Sequence, residues 1–209
     1  NLGFSRLDVL VNNAGLVSDR KVMTEDGVEL TFAVNHLASF LLTHLLLPLM
    51  DNPGSRVLTV SSNSHYKTRF NPRTAWNPPF YFILWAYKVS KLSNVLFSVE
   101  FNRRNPASNP RAFAIDPGLV NTGIGKKGTS RLVSAVWGSR QQLGDPASVP
   151  SRTILHLTLQ IIPDSDSPVY WRDSLPKQPS RVALDEKLAG RLWEESCRLC
   201  GIKNYFSGD

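Results

Sequence analysis

Cysteine, runs of like charge and long apolar stretches are all scarce in this chain, and each shortage removes a class of function. Only two cysteines, Cys197 and Cys200, occur in 209 residues, too few for a disulfide scaffold. A single C-x-x-C with no second pair and no histidine beside it lacks the ligands of a structural zinc site. The two thiols fall late in a helical pattern, on adjacent turns of one face, whereas redox-active pairs sit at helix starts. No His, Asp and Glu share a metal-ligand spacing, so no metal is expected. The net charge is +7, but the basic residues come in scattered pairs such as Arg20 and Lys21, Arg103 and Arg104, and Lys126 and Lys127. Without a basic stripe, no nucleic-acid partner is expected. The most apolar stretch, Leu37 to Met50, is broken by Ser39, Thr43, His44 and Pro48 and falls short of the roughly 20 residues of a membrane span.

Two further absences concern the start of the chain. It begins at Asn1 rather than at a methionine and runs at once into a buried-strand pattern. No glycine-rich G-x-x-x-G-x-G precedes Asn12. Part of a longer protein is therefore expected upstream, and the lack of a targeting segment in this sequence carries no information about the parent.

The remainder has the length and composition of one globular domain. Leu7 to Val11 is a short apolar run ending in turn residues, as in a strand buried on both faces. Helical spacing runs from about Gly27 to Leu49 and stops at Pro53-Gly54. Arg56 to Ser61 reads as a second strand, Leu84 to Arg104 as a helix, and Arg111 to Ile115 as a third strand. Short helices are expected near Arg131 to Gly138 and Ala147 to Leu159, a last strand at Val169 to Trp171, and an amphipathic helix from Leu184 to Cys200. Strands alternating with helices mean a parallel α/β sheet. In such sheets ligands bind outside the carboxyl ends of the strands. That rule selects Asn12 to Gly15, Ser61 to Ser64, and Pro117 to Thr122.

Tyr87 and Lys91 stand four apart and share one helix face. A phenol ionises near pH 10 and is a poor base at neutral pH. A neighbouring ammonium favours the phenolate and lowers that value, which suits an alcohol–carbonyl proton transfer. Ser62, at the carboxyl end of the preceding strand, can hydrogen-bond the reacting oxygen. The pair alone is a common feature of amphipathic helices, and Ser62 alone reads as a cap. Their combination with N-N-A-G after one strand and P-G after another is far less common.

Asn12-Asn13-Ala14-Gly15, Asn35, Ser62, the Tyr87 to Lys91 segment YKVSK, and Pro117-Gly118 with Thr122 together resemble the ordered motifs of short-chain dehydrogenases/reductases. Val34 to Met50, the long gap between Ser62 and Tyr87, and the tail Ala183 to Ile202 resemble the retinol dehydrogenase-like branch, which includes WW-domain oxidoreductase-type domains. The resemblance implies a Rossmann-like doubly wound parallel sheet lacking its first βαβ part, with residues 1–209 the C-terminal catalytic portion of one domain. It implies hydride transfer between NAD(P)(H) and a lipophilic, retinoid- or steroid-like alcohol or carbonyl, with NADP favoured over NAD. Tyr87 would be the general acid/base, Lys91 would lower its pKa and hold the nicotinamide ribose, and Ser62 would orient the substrate oxygen. Asn35 would support a water-linked proton path behind Lys91. Asn12, Asn13, Ala14 and Gly15 would pack beside the adenosine part of the cofactor. Pro117, Gly118, Val120 and Thr122 would contact its nicotinamide end. A cytoplasmic or cytoplasmic-side membrane-associated location fits the branch.

Two departures stand against this pattern. The phosphate-binding turn and the residue that reads the ribose 2′ position are absent, and Asp116 stands where the branch often has histidine before Pro-Gly. The first motivates a competing expectation, a non-catalytic fragment or pseudoenzyme acting through protein contacts at a sheet edge left open along Leu7 to Val11. His36 and His44 read as satisfied or surface residues, and His65 as a side chain that could face the substrate. The aromatic stretch Trp76 to Trp85 reads either as loop packing or as a wall of a lipophilic pocket.

Overall fold

The computed structural model describes residues 5–105, 109–120, 144–159 and 168–206. Four strands lie side by side in chain order and run parallel: β1 (Val9–Asn12), β2 (Arg56–Val60), β3 (Arg111–Ile115) and β4 (Tyr170–Arg172). Side chains alternate across the sheet. Val57 and Ala112 therefore join a core with Phe40, Phe97, Phe101 and Trp193 on one face, while Leu58, Phe113 and Ile115 meet Leu157 and Trp171 on the other. Burial on both faces is why the β2 and β3 sequences are apolar almost throughout. Helices cover both faces, giving an α/β Rossmann-like fold. Among the described residues the outer edge of β1 pairs with no strand, and Val11 is partly exposed there.

A fifth strand, β5 (Leu175–Pro176), was not expected from the sequence; it returns antiparallel along β4. The turn residues Asp173 and Ser174 both have positive φ, 52° and 61°, the left-handed pair whose twist suits a two-residue hairpin. Two strand residues after such a turn are too few to show a period in the sequence.

The first helical stretch, Leu30–Leu49, is continuous over 20 residues. It comprises α1 (Leu30–Phe32), a π-helical turn (Ala33–Leu37), α2 (Ala38–Leu46) and a closing 3-10 turn (Leu47–Leu49). Its mean hydropathy of 1.5 makes it long and apolar enough to cross a membrane by length and composition, which corrects the shorter run expected from the sequence. Its Phe32, Leu37 and Phe40 nevertheless pack into the domain, with Asn35, His36 and Thr43 buried alongside. Glu29 starts the stretch by accepting the Thr31 and Phe32 amides, both at 2.9 Å, as an N-cap does.

After a single turn α3 (Pro72–Ala75), helix α4 (Ile83–Arg104) runs through the middle of the molecule and is buried around nearly its whole circumference from Val89 to Ser98. Two of its serines are satisfied within that packing: Ser93 donates to the Val89 carbonyl at 2.9 Å and Ser98 to that of Asn94 at 3.1 Å. Helix α5 (Ser148–Leu159) covers the opposite face of the sheet. Helix α6 (Glu186–Cys200) packs on α4, capped by Asp185 and ended by Gly201 at φ 69°, the left-handed position where glycine avoids a Cβ penalty. Cys197 and Cys200 are free and half-buried there, and burial pushes both thiols up to about 11. The helix expected near Arg131 to Gly138 lies outside the described residues.

Candidate active site

The carboxyl ends of the parallel strands draw the predicted loops together. Ser61 continues the sheet, its amide donating to the Ile115 carbonyl at 2.7 Å. Ser62 then caps a 3-10 turn (Asn63–Lys67), its Oγ accepting the Ser64 amide at 3.2 Å. Helix α4 is stitched to this end of β2 by three bonds. Lys91 Nζ donates to the Val60 carbonyl at 3.0 Å, Asn94 Nδ2 donates to the same oxygen at 3.1 Å, and Ser61 Oγ donates to the Lys91 carbonyl at 2.7 Å. Asn94, one turn beyond Lys91 on the same face, went unnoticed in the sequence although its spacing announces it.

Tyr87 and Ser62 are brought together and share a side-chain hydrogen bond. Burial pushes the Tyr87 phenol up to about 12; the Ser62 bond pulls the other way, and the charge of Asp116 adds to the rise. Lys91 Nζ lies 5.7 Å from the centre of the Tyr87 ring, and burial brings its own pKa down to about 8. The lowered phenol expected from the spacing is not found: the ammonium points at the Val60 carbonyl, and loss of water around the ring raises the phenol instead.

Asn35 sits in the π turn, wholly buried. Its Oδ1 accepts the Leu16 amide at 2.8 Å, and its Nδ2 donates to the Leu16 carbonyl and to Ser90 Oγ, each at 3.0 Å. Ser90 in turn donates to the Tyr87 carbonyl at 2.8 Å. Asn35 therefore connects the N-N-A-G loop to the turn of α4 that carries Tyr87. Gly15 belongs to the same arrangement: a Cβ there would lie 3.3 Å from Asn35 Oδ1 and 3.6 Å from Lys91 Nζ. Asn12 instead donates to Thr43 Oγ1 at 3.0 Å, fastening the end of β1 to α2. Asn13 and Ala14 are exposed.

At the end of β3, Pro117 and Gly118 are half-buried, with Gly118 at φ 72°. Val120 bridges to Asp145; Thr122 lies outside the described residues. His65 is buried and does not face a substrate. Its Nδ1 lies 2.8 Å from the Ser62 carbonyl and its Nε2 accepts the Ser180 amide at 3.1 Å, so it clamps the Ser62 turn. His36 and His44 are satisfied, by Ser196 Oγ and the Tyr205 carbonyl, both at 2.9 Å. The aromatic stretch divides between its two readings. Trp76 and Trp85 pack on the core and Tyr81 donates to the Ser18 carbonyl at 2.8 Å, while Phe80 and Phe82 are 77% and 68% exposed just before α4. Among the described residues no group of three or more His, Cys, Asp or Glu could hold a metal.

A parallel α/β sheet with this loop arrangement belongs to a recognised class. Residues 2–132 match the family model described as short chain dehydrogenase, and the chain belongs to that family. Within it the chain is retinol dehydrogenase-like. It is 34% identical to retinol dehydrogenase 12 of Mus musculus over 199 residues, and 34% identical to retinol dehydrogenase 13 of Homo sapiens over 207 residues. Each match covers 95% of this chain and 62% of the relative, so the chain spans about three-fifths of the length of these curated proteins. Among solved structures it is similar to an uncharacterized protein from Mycobacterium paratuberculosis, with TM-score 0.67 and 33% identity over 96% of this chain and 69% of that one. A short-chain dehydrogenase/reductase from Saccharomyces cerevisiae shares the fold, with TM-score 0.56 and 22% identity over 83% of this chain and 68% of the other.

Proposed function

We propose that the chain carries the catalytic portion of an NAD(P)-dependent oxidoreductase acting on a lipophilic alcohol or carbonyl. The observation that supports this reading best is the Tyr87 phenol, hydrogen-bonded to Ser62 and set beside a buried lysine at the carboxyl edge of a parallel sheet. The cofactor, when bound, supplies or accepts the hydride. Tyr87, protonated at neutral pH, donates its phenolic proton to a substrate carbonyl oxygen, and the reverse transfer serves alcohol oxidation. Ser62 Oγ hydrogen-bonds the same oxygen and fixes its place.

The residues present fit the nicotinamide–ribose end of such a cofactor. Lys91 Nζ has further N–H donors beyond the one given to Val60, and the missing side chain of Gly15 leaves open the space beside it. Asn12 to Gly15, Pro117, Gly118, Val120 and Thr122 would line the rest of the cofactor. Asn35 holds the lysine's surroundings in place. The exposed Phe80 and Phe82, at the start of the helix bearing Tyr87, suit a lipophilic substrate such as a retinoid. The names of the similar dehydrogenases support the same substrate class.

The test is carried out on the full-length protein with NADPH or NADH and a retinoid aldehyde. Tyr87→Phe is expected to abolish turnover while cofactor still binds. Turnover near wild type in Tyr87→Phe would overturn the assignment of Tyr87. Absence of cofactor binding by the wild-type full-length protein would favour the non-catalytic alternative.

A further inference from the structure

The residue after β3 is acidic, and its surroundings are built for it. The Asp116 side chain is wholly buried. Its Oδ1 accepts the Gly118 amide at 3.0 Å and the Asn63 amide at 3.2 Å. Its Oδ2 lies 3.4 Å from both Arg172 Nη1, at the end of β4, and Lys177 Nζ, just past β5. Lys177 also reaches Asn63 Oδ1 at 3.4 Å, and its ammonium lies 5.2 Å from the Tyr66 ring centre. Arg172 packs against Gly118, with its Nη2 3.6 Å from where a Cβ would stand. One carboxylate therefore joins three strand ends: the turn after Ser62, the Pro117–Gly118 turn, and the β4–β5 hairpin. A buried carboxylate survives such burial only when donors and cations meet it.

We propose that Asp116, anchored by Arg172 and Lys177, is a positioning residue of the proton-transfer site, locking the Ser62 turn to the Pro117–Gly118 turn and presenting a fixed negative charge to Tyr87. The proposal rests on the role given to Tyr87 above. Tyr87 is met by Lys91 from its own helix and by Ser62 from the β2 turn, and Asp116, at the end of β3, holds the amide next to Ser62 and acts on the phenol through its charge. Asp116 is faced by Arg172, Lys177, Tyr66, Tyr170 and His65. A negative charge near a phenol opposes its ionisation, and the rise at Tyr87 includes this contribution. Asp116 thus adds to the effect of burial, favouring the phenol's proton-donating form. The β4–β5 hairpin, outside the reacting residues, sets how strongly that charge is felt through its two cations.

The experiment needs no turnover, so its failure is separable from failure of the oxidoreductase reading. The protein is labelled with 3-fluorotyrosine, whose phenol is more acidic, and titrated by fluorine NMR; the Tyr87 resonance is the one missing from Tyr87→Phe. Asp116→Asn keeps an oxygen for both amides but removes the charge, and the Tyr87 midpoint is expected to fall by on the order of one pH unit. Arg172→Met, at a partly exposed cation that stays charged throughout the titration, removes screening from Asp116 and is expected to move the midpoint up. Loss of packing alone would not shift the midpoint in opposite directions. An unchanged midpoint in Arg172→Met, or in a folded Asp116→Asn, would overturn the proposal.

Discussion

Asn35 grips Leu16 by both of its backbone groups, accepting the amide at 2.8 Å and donating to the carbonyl at 3.0 Å. A side chain from a helix thereby pairs with a loop residue as a neighbouring strand would. The π turn makes this reach available, consistent with the frequent placement of such turns at functional sites.

Asn35→Ala leaves both Leu16 groups and the Ser90 hydroxyl without that partner. The expected cost is about 2–4 kcal/mol, since buried groups deprived of a hydrogen bond keep their desolvation penalty. Urea unfolding of the variant against wild type measures it, and a midpoint unchanged within error would show the grip to be dispensable.

Gly15→Ala would set a methyl group 3.3 Å from Asn35 Oδ1 and 3.6 Å from Lys91 Nζ. Neither neighbour can retreat freely, because Asn35 is held by Leu16 and Ser90 and Lys91 by Val60. A loss of about 1–3 kcal/mol is expected, as for other overpacked interiors. Thermal unfolding reads the loss directly; a variant as stable as wild type would mean that the loop yields.

Burial brings His36 down to about 4 from 6.5. The unfolded chain then binds the proton that the folded one refuses, so stability falls as pH drops from about 6.5 towards 4. The full effect of one such group is about 3 kcal/mol. Chemical denaturation across that range should show a shallower loss in His36→Gln than in wild type, and equal slopes would refute the assignment.

Lys91 works at the other end of the pH scale. With its folded value brought from 10.5 to about 8 by burial, the unfolded lysine holds its proton where the folded one has released it. This group therefore makes stability rise with pH between about 8 and 10.5. Lys91→Met should remove that rise in denaturation curves measured at constant salt; a slope unchanged from wild type would place the ammonium in a more hydrated setting.

Much of the fold was legible because apolar period and breaker residues act locally. The β3 run ends at Asp116-Pro117-Gly118 and α4 ends before Asn105-Pro106, close to where the structure ends them. The Ser62, Tyr87 and Asn35 positions were legible for a second reason, the order of motifs along the chain. The hairpin of β4 and β5 was not, because its two-residue return carries no period. The clamp made by His65 was not legible either, because its proximity to Ser62 in sequence says nothing about Ser180, over a hundred residues later, whose amide bonds its second ring nitrogen.

The sequence by itself determined the alternation of strand and helix, the loops at which a ligand would sit, and the candidate side chains on them. Tertiary structure alone decided their electrostatic state. Desolvation depends on everything packed around a group, so burial set Tyr87 high and Lys91 low where spacing had suggested a lowered phenol. It also decided the company of Asp116, whose amide and cation partners come from three separate segments and meet only when the sheet has formed.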